Sequence, residues 1–456
     1  MKYANKAVLV EGPIGKILLK LTVPMIFGIL GMVAFNLVDT FYVGRLGTIE
    51  LAALSFTFPV VLVVSSLAMG LGMGVAAVVS RAIGEGDSRK VRDLTTDSLI
   101  LALLVVAVFI VLGLLTIEPI FRLIGANAET LPLIKQYMNI WFPGMIFVVI
   151  PMVGNNAIRG IGDTKTPSVI MLVAVIINCI LDPLLIFGIG PFPRLELAGA
   201  AIATVVARAS TLVISLYVLV HREKMLIFAK RTLRSVHRSW KSILYIGLPA
   251  AGTRIIIPLV IGVITRLVAS YGPEAVAGFG VASRIEIFAL AVIWALASVI
   301  GPFAGQNWGA GKPDRVRAGI KKCERFSMAW GFGMFVFLAA AAEPIASVFN
   351  DNPIVIKTIV MYLRIVPITF GLEGVLILLA AALYVLHKPF HAMGFVVFQM
   401  VVLYIPLAHV GSILIGLPGV FIATAVAYGF SGILAHFLTR SVLGSLEPSE
   451  TSLGYP

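Results

Sequence analysis

Charge is scarce in this chain. Only 12% of its 456 residues are Asp, Glu, Lys or Arg, while 59% are hydrophobic, against about 25% charged in an ordinary soluble domain. A water-soluble globule is excluded, and so is a disordered chain, whose signature is the reverse. Two cysteines are too few for a secreted disulfide scaffold. The six histidines lack metal spacing, no nucleophile stands beside a base, and no lysine follows a glycine-rich turn as in a P-loop. Neither enzyme chemistry nor direct use of ATP is expected, and no cofactor. The alternating segments of about ten residues that build an outer-membrane barrel are missing too. What the chain does contain is a series of apolar runs of about 20 residues or more, each long enough to cross a bilayer as a helix.

The runs predict twelve helices near 17–43, 52–79, 94–116, 132–154, 167–189, 195–220, 242–270, 277–303, 320–342, 355–384, 390–413 and 416–440. The first run is too long for a signal-peptide core and is retained as a helix. Of the loops on one side, the basic residues are only Arg45, Arg122, Lys135, Arg194 and Lys357; the other side carries most of the Lys and Arg behind the net charge of +13. By the positive-inside rule both termini face the cytoplasm of a cell inner (plasma) membrane, and the basic excess marks cytoplasmic loops rather than nucleic-acid binding. The expected organisation is an N-lobe at 1–220, a basic cytoplasmic linker at 221–241 lying on anionic lipid, a C-lobe at 242–440 and a polar tail at 441–456. Cys179 and Cys323 fall in different halves and predict no disulfide.

A shift of 225 residues brings the halves into register: Pro24 falls on Pro249, Gly47 on Gly272, Gly86 on Gly311, Val91-Arg92 on Val316-Arg317 and Tyr137 on Tyr362. Later the offset drifts, and Gly199 with Ile202-Ala203-Thr204 answers Gly419 with Ile422-Ala423-Thr424. An even number of helices per half makes the repeat parallel, as in transporters with two bundles that rock against each other. The fold class is therefore an all-α membrane protein, with twelve transmembrane helices in two pseudo-symmetric six-helix lobes.

The repeat breaks where acids stand. Asp39 corresponds to Ile264 and Asp182 to Leu403, while Asn178 corresponds to Gln399. Asn36, Asp39 and Thr40 share one helix face, as do Asn178 and Asp182. An ionised carboxylate costs several kcal/mol inside a bilayer, so such acids are expected to meet a wet cavity, a cation or a proton. Tyr137, Asn155, Asn156 and Thr204 are candidates for further oxygen ligands. Pro24 and Pro183 predict bends in the helices that carry Asp39 and Asp182. Met32 and Phe35 are candidates for lining a permissive cargo cavity. Gly70, Gly72 and Gly74 mimic a dinucleotide loop but lack a preceding strand, and close helix packing explains Gly70 and Gly74 better. Arg254, Arg284, Glu286 and Glu373 in the second half are expected to pair with one another.

The passage Arg159-Gly160-Ile161-Gly162-Asp163-Thr164-Lys165-Thr166-Pro167, with Asn178 and Leu181-Asp182-Pro183-Leu184-Leu185-Ile186-Phe187-Gly188, resembles a motif of the multidrug and toxic compound extrusion (MATE) transporters. Val38-Asp39-Thr40-Phe41-Tyr42-Val43-Gly44 resembles their helix 1 end. The resemblance covers nearly the whole chain and is best to the DinF-like prokaryotic branch. It implies a V-shaped bundle and a first-lobe site for H⁺ or Na⁺ at Asp39, Asn178 and Asp182; a monomer is expected. Tyr137 and Thr204 stand beside that site in the family pattern, and Pro24 is the bending proline of helix 1. The implied activity is antiport, in which small amphipathic, often cationic drugs leave in exchange for the ion. Arg254 stands in helix 7, near where the NorM-like branch has an acid. A flippase for a lipid-linked precursor is the alternative, with an ion channel behind it.

Overall fold

The structure is a computed structural model that describes residues 7–227 and 232–444; the side chains of Asn36, Thr48 and 439–444 lie outside the described set. Among the described residues there are helices and no strands. We number the long helices α1 (Ile14–Gly44), α2 (Thr48–Gly84), α3 (Ser88–Ile124), α4 (Thr130–Gly160), α5 (Lys165–Phe187) and α6 (Glu196–Arg222) in the first half. The second half has α7 (Leu233–Ala269), α8 (Pro273–Gly309), α9 (Pro313–Ala340), α10 (Pro353–Val385), α11 (Pro389–Ile415) and α12 (Leu417–Gly444). Eleven of them are long and apolar enough to cross a membrane, and α9 makes twelve if it is counted with Ala342–Phe349, which follows a 66° bend. Several helices run past their apolar stretches. Thus α3 begins at Ser88 rather than near 94, because the Asp87 side chain accepts from the backbone N–H groups of Arg89 and Lys90 and caps a polar first turn.

The repeat is visible in backbone detail. Gly86 and Gly311 hold the same turn, between α2 and α3 and between α8 and α9, with φ of 74° and 69°. A side chain at either position would be strained, which accounts for the matched glycines. The hinge-like irregularities also recur. α4 is interrupted at Met145, just after Pro143, and α10 tightens over Val366–Thr369 around Pro367. In α11 the turns widen over Phe398–Tyr404, two residues before Pro406. Pro406 lacks the N–H that would bond to the carbonyl of Val402, and its ring crowds that carbonyl.

Two compact units emerge, with boundaries different from the expected lobes: Val23–Ala251 form the body of one, Val8–Thr22 with the chain from Gly252 onward form the other. The unit boundaries thus cut α1 directly before Val23-Pro24 and α7 two residues after Pro249, about one helical turn apart in the repeat. The expected linker at 221–241 is divided. Residues 228–231 lie outside the described set, while Leu233 onward is already helical because the stretch continues the amphipathic start of α7. That start is fastened inside the first unit by the Trp240 indole N–H, which donates to the Asp97 carbonyl at 2.9 Å, and on the other side of residues 228–231 the Ile227 N–H donates to Thr96 Oγ1 at 3.0 Å. The expected tail begins inside α12, which reaches Gly444. In the second unit, the N-terminal segment is held by Gln306 and Asn307, which bond the backbone of Leu9.

Gly70 and Gly74 do serve helix packing. A Cβ on Gly70 would lie 2.6 Å from the backbone N of Ala251, and one on Gly74 would fall on the Ile243 carbonyl, so α2 and the first part of α7 touch backbone to backbone. Gly72 faces Asn156.

Candidate cation and cargo site

In the first unit, α1, α4, α5 and α6 each contribute one or two polar side chains to one cluster. Pro24 and Pro183 lie inside uninterrupted helices, α1 and α5. α1 rests on α5 where it has no side chain: a Cβ on Gly28 would touch Ser168, and one on Gly31 would touch Leu172. That close approach brings the α1 face with Asp39 toward the α5 face with Asn178 and Asp182. The Asn178 amide donates to Asp182 Oδ1 at 3.0 Å, and both side chains are completely buried. Asp39 and Asp182 feel each other's charge, and Tyr137, buried on α4, lies within the field of both. Thr204 is buried on α6.

Three oxygens of this cluster are buried without a hydrogen-bond partner, Asp39 Oδ1, Asn178 Oδ1 and Asp182 Oδ2, and so is a fourth, Thr204 Oγ1 on α6. Such groups nearly always have partners, because an unsatisfied one costs about 1–3 kcal/mol. The set is entirely of acceptors apart from the Thr204 hydroxyl, so what it lacks is positive charge or a proton. These residues fit a hard monovalent cation by ligand chemistry.

Arg208, inside the helix expected at 195–220, adds a basic group to the cluster. It lies one turn after Thr204 on α6, and its guanidinium carbon sits 4.4 Å from the centre of the Phe35 ring. Phe35 lies one turn before Asp39, so two helix faces oppose each other: Phe35 and Asp39 on α1, Thr204 and Arg208 on α6. A guanidinium in mid-membrane costs about 2.5–3.5 kcal/mol or more. Stacking on an aromatic ring offsets about 0.5–2 kcal/mol of that. The remaining compensation comes through space from Asp39, with which Arg208 interacts electrostatically but forms no direct ion pair. The i, i+4 spacing of Thr204 and Arg208 was the signal available.

Other sequence candidates separate from the cluster. Asn156 is occupied structurally: its amide donates to the Met152 carbonyl and its oxygen accepts from Arg159, both at 2.7 Å. Asn155, on the same helix, keeps a buried oxygen without a partner. Met32 is half-buried on α1. Asn36 has its side chain outside the described residues.

Asp163, in the loop between α4 and α5, has a structural role. It accepts from the backbone N–H and the hydroxyl of Thr166 and pairs with Arg222 at the end of α6. Burial pushes its carboxyl up, but these Thr166 and Arg222 contacts together hold it below its usual value. The folded-state value is depressed, so the pair's stabilisation is present above about pH 4 and is lost as pH falls through the folded value. Both partners are partly exposed, and solvent screening limits the effect to about 1 kcal/mol. We expect Asp163→Asn to lower the melting temperature in detergent equally at pH 6 and pH 8. A loss confined to pH 8 would contradict this assignment.

The second unit carries its own acid cluster, and here the expected pairing with arginine is corrected. Among the described residues no ion pair joins Glu286 or Glu373 to Arg254 or Arg284, both of which are exposed. Glu286 accepts instead from the hydroxyls of Tyr362 and Tyr428, and Glu373 accepts from the Gln399 amide. Neutral donors satisfy these acids because the repeat supplies them: Tyr362 answers Tyr137, and Gln399 answers Asn178. Thr424, which answers Thr204, donates to the Tyr404 hydroxyl at 2.9 Å. In each half the α5 or α11 amide thus serves a carboxylate, on its own helix in one and on α10 in the other.

This architecture matches known proteins along its whole length. The chain is 39% identical over 434 residues to a FAD transporter of Shewanella oneidensis, covering 95% of this chain and 96% of that one. It is 26% identical to the multidrug export protein MepA of Staphylococcus haemolyticus, covering 97% of each. The crystal structure of the MATE transporter VcmN of Vibrio cholerae in its bent form is 28% identical and superposes with a TM-score of 0.90, covering 95% of this chain and 97% of that one. The MatE family model matches twice, at residues 24–184 and 249–410, beginning at the two prolines that the 225-residue shift superimposes. The chain belongs to the MatE family and is a transporter, not an enzyme.

Proposed function

We propose that the chain is a multi-pass transporter of the inner (plasma) membrane, monomeric and with both termini cytoplasmic, which moves an organic cargo outward and couples that movement to H⁺ or Na⁺ at Asp39, Asn178 and Asp182. The observation that carries the coupling is the set of four buried oxygens without donors on α1, α5 and α6. An arriving cation or proton supplies what those atoms lack, and Tyr137 supports the site from α4. Bending of α1 at Pro24 is the proposed link between occupancy of the site and the cargo, with Met32 and Phe35 on the same helix.

For the cargo, the 39% likeness to a FAD transporter over nearly the full chain supports a compound of the FAD type. Such a cargo is an anion, and a membrane potential that is negative inside pulls it outward with about 2.3 kcal/mol per charge per 100 mV. A second reading is exchange of amphipathic cations for the coupling ion. It is favoured by the likeness to MepA and by two carboxylates for which drug and ion would compete.

Proteoliposomes loaded with FAD, or in parallel with rhodamine 6G, test both readings under an imposed potential, pH gradient or Na⁺ gradient. FAD leaving faster under an inside-negative potential than from protein-free vesicles is the expected result. Retained FAD with gradient-driven loss of rhodamine 6G would favour the second reading. Retention of both under every gradient would overturn the transport assignment to this cluster.

A further inference from the structure

Arg208 has no place in the coupling scheme, which needs only the acids and their oxygen neighbours. Yet it is a permanent cation built into the wall of the first unit, half-buried, with its guanidinium on one face of the Phe35 ring. The planar fork keeps donors that neither Phe35 nor Asp39 takes up. A guanidinium that rests on a buried aromatic ring and keeps unused donors is chemistry that recognises, by charge and by stacking, a flat aromatic compound carrying phosphate, sulfonate or carboxylate. The charged and titratable groups that act on it are few: Asp39 directly, with Asp182 and Tyr137 beyond.

We infer that Arg208, with Phe35, is the anion-binding element that selects aromatic anions as cargo. The inference deepens the cargo reading above and rests on it for the flavin, but not for the charge. Arg208 thus sets the sign of the cargo charge.

Equilibrium binding to the purified full-length protein in detergent tests this with three fluorescent probes: FAD, fluorescein and rhodamine 6G. The last two have the same ring system and opposite charge. Arg208→Gln is expected to weaken fluorescein and FAD by about tenfold or more and to leave rhodamine 6G unchanged or tighter. Arg208→Lys, which keeps the charge and loses the planar stack, should retain part of the anion affinity. If fluorescein binds through Arg208 but FAD does not bind, the flavin cargo fails while the anion element stands. If both anions bind and Arg208→Gln leaves their affinities within about twofold, the anion element fails while the flavin cargo stands. Wild-type protein that takes rhodamine 6G and neither anion overturns the inference, and anion loss in Arg208→Gln accompanied by equal loss of rhodamine 6G does the same, since it reports a disrupted fold.

Discussion

Asp39→Asn is expected to reduce gradient-driven transport by about tenfold or more, equivalent to at least about 1.4 kcal/mol of lost coupling. The amide keeps the size and one acceptor of the carboxylate, so helix packing at Gly28 and Gly31 is undisturbed. It can no longer change charge, however, and its new donor can satisfy the neighbouring orphaned oxygens internally. The site would then be filled in every conformation, and an ion gradient would have nothing to act on. Efflux down the cargo's own gradient should persist, which separates loss of coupling from loss of the protein. The measurement is proteoliposome efflux with and without an imposed pH or Na⁺ gradient. An undiminished response to the gradient in Asp39→Asn would remove Asp39 from the coupling role. Asp182→Asn is expected to act in the same direction, since Asp182 is completely buried and shares its field with Asp39.

Much of this site was readable from the chain because bilayer physics makes polar residues conspicuous. An Asp in a run of apolar residues stands out, and helical spacing puts Asn178 and Asp182 on one face before any coordinates are known. The repeat was legible for a similar reason: glycines at forced turns and prolines in helices are single-residue marks that survive when apolar residues interchange freely. What the pattern did not reveal is which polar groups meet across helices. Glu286 was expected to find an arginine, yet two tyrosines from α10 and α12 reach it first. Arg208 was visible only as a charge in a span, because its partner is a phenyl ring that no polarity pattern flags. Hydropathy reports where a helix crosses the bilayer, not which compact unit each part of it packs into.

The placement of Glu373 in the second unit rests on a contact with no side chains in it. α9 and α10 approach so closely at Gly331 that a Cβ there would fall on the backbone N and Cα of Gly371. Ser327, one turn earlier, donates to the Gly371 carbonyl at 2.8 Å, and a Cβ on Gly374 would collide with the same hydroxyl. Glu373 lies between these two glycines on α10, so this seam fixes the helix that presents it to Gln399. Overpacking a tight site costs about 1–3 kcal/mol, and the upper end applies where the obstacle is backbone that cannot rotate away. We therefore expect Gly331→Leu to lower stability by about 3 kcal/mol, with Gly331→Ala intermediate, measured as thermal melting in detergent by tryptophan fluorescence. Gly333→Leu is the internal control. It lies two residues further along the same helix with no atom beyond its own turn of helix within 4 Å of its Cβ position, and replacing a helical glycine by leucine there should be neutral or stabilising by up to about 1 kcal/mol. An equal fall in both leucine variants would mean that α9 tolerates no added bulk anywhere, and the seam would lose its claim to position Glu373.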